Sequence, residues 1–144
     1  MGILTVEKIR VQADVKTRDE AIRLAGQLLV DAGHVAAAYI DKMLEREAMV
    51  STYMGGGLAI PHGTKEAKAL IASTGISIVQ IPAGVDYEDG EKAYLVVGIA
   101  AAGDEHMDIL TNIAMICAED DNLDALVQTD SAEAMLRIFA GGAL

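Results

Sequence analysis

Tryptophan is absent from this chain, phenylalanine occurs once, proline twice and cysteine once. With aromatics at 3%, there is little to build a base-stacking surface from. Basic side chains are also in deficit: 11 Lys and Arg against 22 Asp and Glu leave a formal net charge of -11. A chain this acidic is repelled by nucleic-acid phosphates unless it carries a dense basic patch, and no such patch occurs. The acidity suits docking onto a basic partner protein, and solubility explains it equally well. Cys117 cannot form an internal disulfide, which fits a reducing compartment; in its apolar helical stretch it reads as a packing residue. No stretch approaches the roughly 18 uninterrupted apolar residues of a membrane span. The opening "MGILTVEKIR" lacks the basic-then-apolar order of a secretory signal. The expectation is a soluble cytoplasmic protein.

What the chain does have is a hydrophobic fraction of 52% spread along its whole 144 residues. No linker, repeat or compositional break divides it, so residues 1–144 are read as a single domain. "VEKIRVQ" alternates as a short strand does. "TRDEAIRLAGQLLVDAG" reads as a helix, with Thr17 and Glu20 as a capping box, Gly33 as its stop and Ala21, Leu24, Ala25, Leu28 and Leu29 as its buried stripe. A second helix puts Val35, Tyr39, Ile40, Met43 and Leu44 on one face. Three strands follow in "LAIPH", "STGISIVQI" and "AYLVVGIAA", the last apolar enough to be covered on both faces. "PAGVDYEDGEK" between the latter two reads as a polar loop turning at Gly84 and Gly90, and "KEAKALIA" as a small helix after His62. The last third is helical, through "DEHMDILTNIAMICAED", "NLDALVQ" and "DSAEAMLRIFAGG", with Asp130 and Glu133 capping the final helix and Gly141 ending it. The simplest way to bury this order is a three-layer α/β/α fold: a mixed, mostly parallel sheet of four to five strands flanked by helices.

Three histidines occur in the chain. His62 lies just past a strand, where Pro61 enforces extended geometry before it and Gly63 lets the backbone bend after it. Thr64 is placed to cap the small helix, so unsatisfied backbone N–H groups are expected near His62, where an anion would find donors. His106 follows the apolar strand after a brief connector and opens a helix. Both therefore stand beyond the carboxyl ends of strands, the edge at which open α/β sheets bind ligands. If those two strands are parallel neighbours, the imidazoles can meet over one site. Each histidine also has a plain structural reading, as a satisfied His62 and as an ordinary first-turn His106. His34, after Gly33 between two helices, reads as a solvated loop residue.

Several chemistries can be set against this inventory. Zinc needs three or four ligands; His62 and His106 with Asp104 or Asp108 would be a minimal set, unsupported by any HxxxH or CxxC spacing. There is no GxSxG elbow for a hydrolase. Neither a Walker loop nor a GxGxxG after a strand is present, so nucleotide binding has no motif. A histidine that is itself the nucleophile remains, its phosphoryl group cradled by loop amides and an arginine.

The stretch "LEREAMVSTYMGGGLAIPHGTKEAK", followed by "GISIVQIPAGVDYEDGEKAYLVVGIAAAGDEHMDIL", resembles the IIA component of the bacterial sugar phosphotransferase system, mannitol/fructose class, nearest to the mannitol type. The resemblance covers essentially the whole chain. It implies that His62, in "PHGT", accepts a phosphoryl group from the phosphocarrier protein HPr and passes it to a cysteine of a IIB component. It implies that His106, in "EHMDIL", assists the transfer and that Arg46, in "LEREAM", supports the phosphorylated state. No metal or cofactor is implied, and membrane contact only through the permease partner. "GGG" at 55–57 departs from the more usual Gly-Asn-Gly or Gly-Glu-Ser; with Ala59 it is expected to leave the approach to His62 open. The implied sugar is mannitol, with a related polyol as the other choice. A regulatory, nitrogen-type IIA protein acting through protein binding is the alternative, and a metal-dependent hydrolase a third reading.

Overall fold

The computed structural model describes residues 3–103 and 106–141; for His106, Ala140 and Gly141 the description is of the backbone alone. Among the described residues five strands and five helices follow one another as β1 (Ile9–Arg10), α1 (Arg18–Asp31), α2 (Tyr39–Met49), β2 (Tyr53–Gly55), β3 (Leu58–Ala59), β4 (Gly75–Glu88), β5 (Glu91–Ala100), α3 (His106–Ala118), α4 (Asp120–Gln128) and α5 (Ala132–Gly141). A short 3-10 helix, Val6–Lys8, precedes β1 and another, Lys65–Leu70, follows His62. The strands form one mixed sheet in the order β1-β4-β5-β3-β2. β1 runs parallel to β4 and β3 parallel to β5, whereas β4–β5 and β2–β3 are antiparallel.

Period-two alternation along β4 and β5 divides the core in two. Val79, Ile81, Val96 and Ala100 join Ala21, Ile22, Ala25 and Leu29 of α1 on one face. Ile76, Ile78, Leu95, Val97 and Ile99 meet Ile109, Ile113, Leu126 and Phe139 of α3, α4 and α5 on the other. The expected three layers are therefore present. α1 begins as expected, with the Glu20 amide donating to Thr17 Oγ1 at 3.1 Å, and Gly33 beyond its end takes φ +83°. The helix comes close to the sheet because small residues face each other: Ser77 Oγ donates to the Ala25 carbonyl at 2.7 Å, and a Cβ on Gly98 would lie 2.5 Å from Ser77 Oγ and 3.1 Å from Ala25 Cβ.

Several local expectations are corrected. "PAGVDYEDGEK" is a hairpin: β4 continues to Glu88 with Val85 and Tyr87 buried, and the chain reverses at Asp89 and Gly90, both at positive φ, the backbone that a two-residue hairpin turn demands. Pro82 and Gly84, which suggest a loop, fall within a register shift between Gln80 and Val85, where a bulge absorbs them. The three-residue β2 went unseen because it is too short for a pattern. α5 is capped by Ser131, whose Oγ accepts from the Ala134 amide at 3.1 Å. Thr64 holds the cap position of the second 3-10 helix without a side-chain cap bond.

His34 is the largest correction, being only 1% exposed. Its ring lies over the start of β4, where a Cβ on Gly75 would collide with it. Lys8 Nζ is 2.6 Å from His34 Nε2 and also donates to the Ile3 carbonyl, and His34 Nδ1 is 2.9 Å from Ser73 Oγ. An ammonium only donates, so Nε2 accepts and Nδ1 carries the proton toward Ser73. Burial, then the Lys8 charge, lowers the His34 pKa. Burial pushes the Lys8 pKa down to about 8 from 10.5.

Two outcomes are expected from this packing. Gly98→Ala, which must push Ser77 or α1 aside, should cost about 1–3 kcal/mol and lower the urea midpoint at constant m; an unchanged midpoint would show that the gap yields freely. The second concerns pH. Between about 8 and 10.5 unfolded Lys8 holds its proton and folded Lys8 releases it, so this group makes stability rise with pH. Stability measured across that window should therefore increase in wild type relative to Lys8→Met, and a constant difference would contradict the burial of the charged amine.

Candidate functional site

The site begins with the pairing of β3 and β5, Leu58 with Leu95 and Ala59 with Val96. Beyond β3 the chain stays extended, since Pro61 disfavours helical geometry at Ile60. The Ile60 amide donates to the Thr52 carbonyl at 3.1 Å and the Ile99 amide to the Pro61 carbonyl at 3.0 Å. A last parallel bridge joins His62 to Ile99. His62 thus stands at the carboxyl edge of two adjacent parallel strands, as its position past a strand led one to expect.

The half-buried His62 ring places Nδ1 2.8 Å from the carbonyl of Ile60. A carbonyl only accepts, so Nδ1 is the protonated nitrogen and the lone pair of the neutral ring is on Nε2. Gly63 follows under the ring of Tyr39, where a Cβ would come within 2.7 Å of a ring carbon. Its need for glycine is therefore one of space.

Arg46 lies half-buried in the last turn of α2. Its Nη1 donates to the Val50 carbonyl at 2.6 Å, which sets a cation against the negative end of the helix. The segment after α2 leads to Thr52, the backbone partner of Ile60, so α2 ends at the same sheet edge as His62. His106 opens α3, which follows β5 through a short connector; its side chain lies outside the described residues, as does all of Asp104. Among the described residues no group of three or more His, Cys, Asp and Glu is placed to hold a metal ion.

Gly55–Gly57 do not flank His62. All three take positive φ; Gly55 ends β2 and Gly56 and Gly57 make its turn into β3, at the opposite end of β3 and roughly 15 Å from His62 at strand rise. Ala59 is fully buried. Their smallness serves the turn and the core: a Cβ on Gly57 would meet the Tyr94 ring at 2.9 Å.

Two residues with evident roles here escape sequence reasoning. Glu47, 4% exposed, accepts from the Thr52 amide at 2.9 Å, from Thr52 Oγ1 at 2.5 Å and from the Tyr87 hydroxyl at 3.1 Å. It fixes the exit of α2 beside Arg46. A surface charge is the natural reading of "EREA", and only the fold supplies its partners. Tyr39 was expected on a buried face and is there, 2% exposed. Its hydroxyl donates to the Ile99 carbonyl at 2.9 Å and accepts from the Gly63 amide at 2.9 Å. The available signal was the choice of Tyr over Phe, because a buried phenol needs partners.

The mannitol-specific phosphotransferase enzyme IIA component of Bacillus subtilis is 50% identical to this chain over 139 residues, covering 96% of this chain and 97% of that protein. Among solved structures, a chain from the complex of enzyme IIA-mannitol with phosphorylated enzyme IIB-mannitol of Escherichia coli superposes with a TM-score of 0.91 at 37% identity, covering 96% of this chain and 97% of its own. The crystal structure of IIA mannitol from the same organism gives 0.88 at 37% identity, covering 94% and 98%. The family model described as "Phosphoenolpyruvate-dependent sugar phosphotransferase system, EIIA 2" matches residues 2–141. The chain belongs to the EIIA 2 family of the phosphoenolpyruvate-dependent sugar phosphotransferase system.

Proposed function

We propose that this chain is, over residues 1–144, a single IIA domain and a cytoplasmic phosphohistidine relay for the uptake of mannitol, with His62 as the carrier. The observation that carries this reading is the Nδ1–H bond from His62 to the Ile60 carbonyl, which directs the Nε2 lone pair toward an incoming phosphorus. HPr is the donor. Nε2 bonds to phosphorus as the bond to the donor breaks, and that electron pair stays with the donor. In the second half-reaction a thiolate of the IIB component attacks phosphorus, the N–P bond breaks and its pair returns to Nε2. Little covalent chemistry is needed beyond alignment and charge stabilisation.

Arg46 is the fixed positive charge of the proposed site. A guanidinium has five N–H donors, so the bond to Val50 leaves donors for phosphoryl oxygens. His106 stands at the N-terminus of α3, the end of a helix that favours anions. Among the described residues no helix is long and apolar enough to cross a membrane.

Exposed apolar side chains support transfer between proteins. Met49 and Val50, 68% and 65% exposed, follow Arg46. Met107, 67% exposed, adjoins His106, and Met115 at 66% lies about two turns further along the same side of α3. Pliable apolar groups around a polar centre suit a surface that must fit two different partners.

Intact-mass measurement after mixing the protein with phosphoenolpyruvate, enzyme I and HPr tests the relay. One added, acid-labile phosphoryl group is expected on wild type and none on His62→Ala. Labelling retained in that variant would refute the carrier. His106→Ala should keep the group but slow its passage to a mannitol IIB domain by about a hundred-fold; unchanged rates in both directions would remove His106 from the mechanism. Charged HPr that fails to label wild type would favour a regulatory role through protein binding.

A further inference from the structure

The edge of the sheet at His62 departs from a regular ladder in one place. Parallel pairing of His62 with Ile99 is made on one side by the Ile99 amide and the Pro61 carbonyl, 3.0 Å apart. A regular parallel ladder would complete it by sending the Gly63 N–H to the Ile99 carbonyl. Here the Tyr39 hydroxyl stands between these two groups, accepting from the Gly63 amide and donating to the Ile99 carbonyl, each at 2.9 Å. Both directions are fixed by chemistry, since an amide only donates and a carbonyl only accepts.

We propose that Tyr39 is a positioning residue for phosphoryl transfer at His62: its hydroxyl, wedged into the last rung between β3 and β5, sets how far the His62–Gly63 peptide stands off the sheet and so where Nε2 points. This rests on His62 being the carrier.

Backbone bonds hold the chain at Ile60, to Thr52, and at Pro61, to Ile99. At Gly63 the tie comes from a side chain of a different element. That element is α2, which also carries Arg46. Tyr39 and Arg46 are seven residues apart, two helical turns, and so lie on one side of the helix. A single hydroxyl therefore fixes the loop bearing the acceptor to the helix bearing the guanidinium. The ring adds a steric stop, because Gly63 packs directly beneath it. Burial raises the Tyr39 pKa, against the smaller lowering effect of the Gly63 amide, so the hydroxyl keeps its proton and both bonds persist in neutral solution.

Removing only the oxygen has a definite geometric consequence. In Tyr39→Phe the Gly63 amide and the Ile99 carbonyl either close on each other, drawing the His62 loop toward β5, or remain unpaired and let it drift. In both cases Nε2 moves on the ångström scale relative to Arg46. Misplacement of that size lowers transfer rates by roughly ten- to a hundred-fold.

The test compares wild type and Tyr39→Phe for kcat and KM with phosphorylated HPr, together with 15N spectra of the His62 ring and thermal melts. Tyr39→Phe is expected to take up one acid-labile phosphoryl group with kcat lowered by roughly ten- to a hundred-fold and KM within about two-fold. Its His62 ring should show mixed tautomers where wild type carries the proton on Nδ1. Wild-type kcat and an unmixed ring in Tyr39→Phe, with only a lower Tm, would overturn the proposal and leave His62 as the carrier. A wild-type ring protonated on Nε2 would overturn it too, whether or not the variant folds. If charged HPr labels neither protein, the relay itself falls and the positioning role falls with it.

Discussion

A parallel contact of two residue pairs, Leu58 with Leu95 and Ala59 with Val96, decides where His62 can be. β5 is the central strand, held along one side by β4 and along the other by β3. It passes its position to the two-residue β3, and β3 passes it through Ile60 and Pro61 to His62. The Ile99 amide bonded to the Pro61 carbonyl carries that order past the end of the strand. A histidine on a free loop would sample many ring orientations. Here the ring must satisfy the Ile60 carbonyl, and that choice fixes which nitrogen keeps its lone pair.

The rigidity behind this edge comes from two cores back to back on one sheet. α1 approaches through Ala25, Gly98 and Ser77, so β4 and β5 are gripped by backbone-to-backbone proximity as well as by large side chains. The opposite face is filled by bulky groups such as Ile113, Leu126 and Phe139. Close packing transmits position, because interiors are dense and yield little. The buried Lys8, His34 and Ser73 cluster belongs to the same frame. It ties the N-terminal segment and the α1–α2 connection to the start of β4, and β4 begins opposite Ala100 at the end of β5, one strand away from the His62 bridge. The buried amine of Lys8 thus sits one strand behind the sheet edge that carries His62.

How much of this could be read in the sequence depended on whether the deciding forces are local. The start of α1 was legible because a Thr17–Glu20 cap acts within one helical turn. The setting of His62 was legible because Pro61 and Gly63 constrain their own backbone. Val85 and Tyr87 were misread because Pro82 and Gly84 announce a loop, and only pairing with β5 shows them to be a bulge. His34 was misread because burial is a property of the tertiary fold: nothing near it in sequence reveals that Lys8 and Gly75 will close over the ring. The glycines at 55–57 were read as clearing the approach to His62, and they stand at the other end of β3. Their composition marks a turn, and nothing in it says which neighbour the turn serves. Tyr87, a partner of Glu47, and the two partners of the Tyr39 hydroxyl lie 40, 60 and 24 residues away, beyond the reach of any local pattern.

The charge distribution bears on how phosphate would reach the proposed site. A net charge of -11 repels small free anions at long range, an effect that salt confines to about 8 Å under physiological conditions. At the proposed site the guanidinium of Arg46 and the N-terminus of α3 would supply local positive potential. A phosphoryl group already bonded to a partner protein is carried through the outer repulsion by the contact energy of the two surfaces, which the exposed Met49, Val50 and Met107 can provide. Inside, the local field stabilises the charge that spreads over the phosphoryl oxygens during transfer. In the proposed relay an acidic exterior and a small cationic centre would act together, disfavouring free phosphate and favouring phosphate delivered in a protein's grip. In the proposed relay the imidazole would attack in its neutral form, without first losing a proton, and once bonded to phosphorus would be a leaving group for the next acceptor.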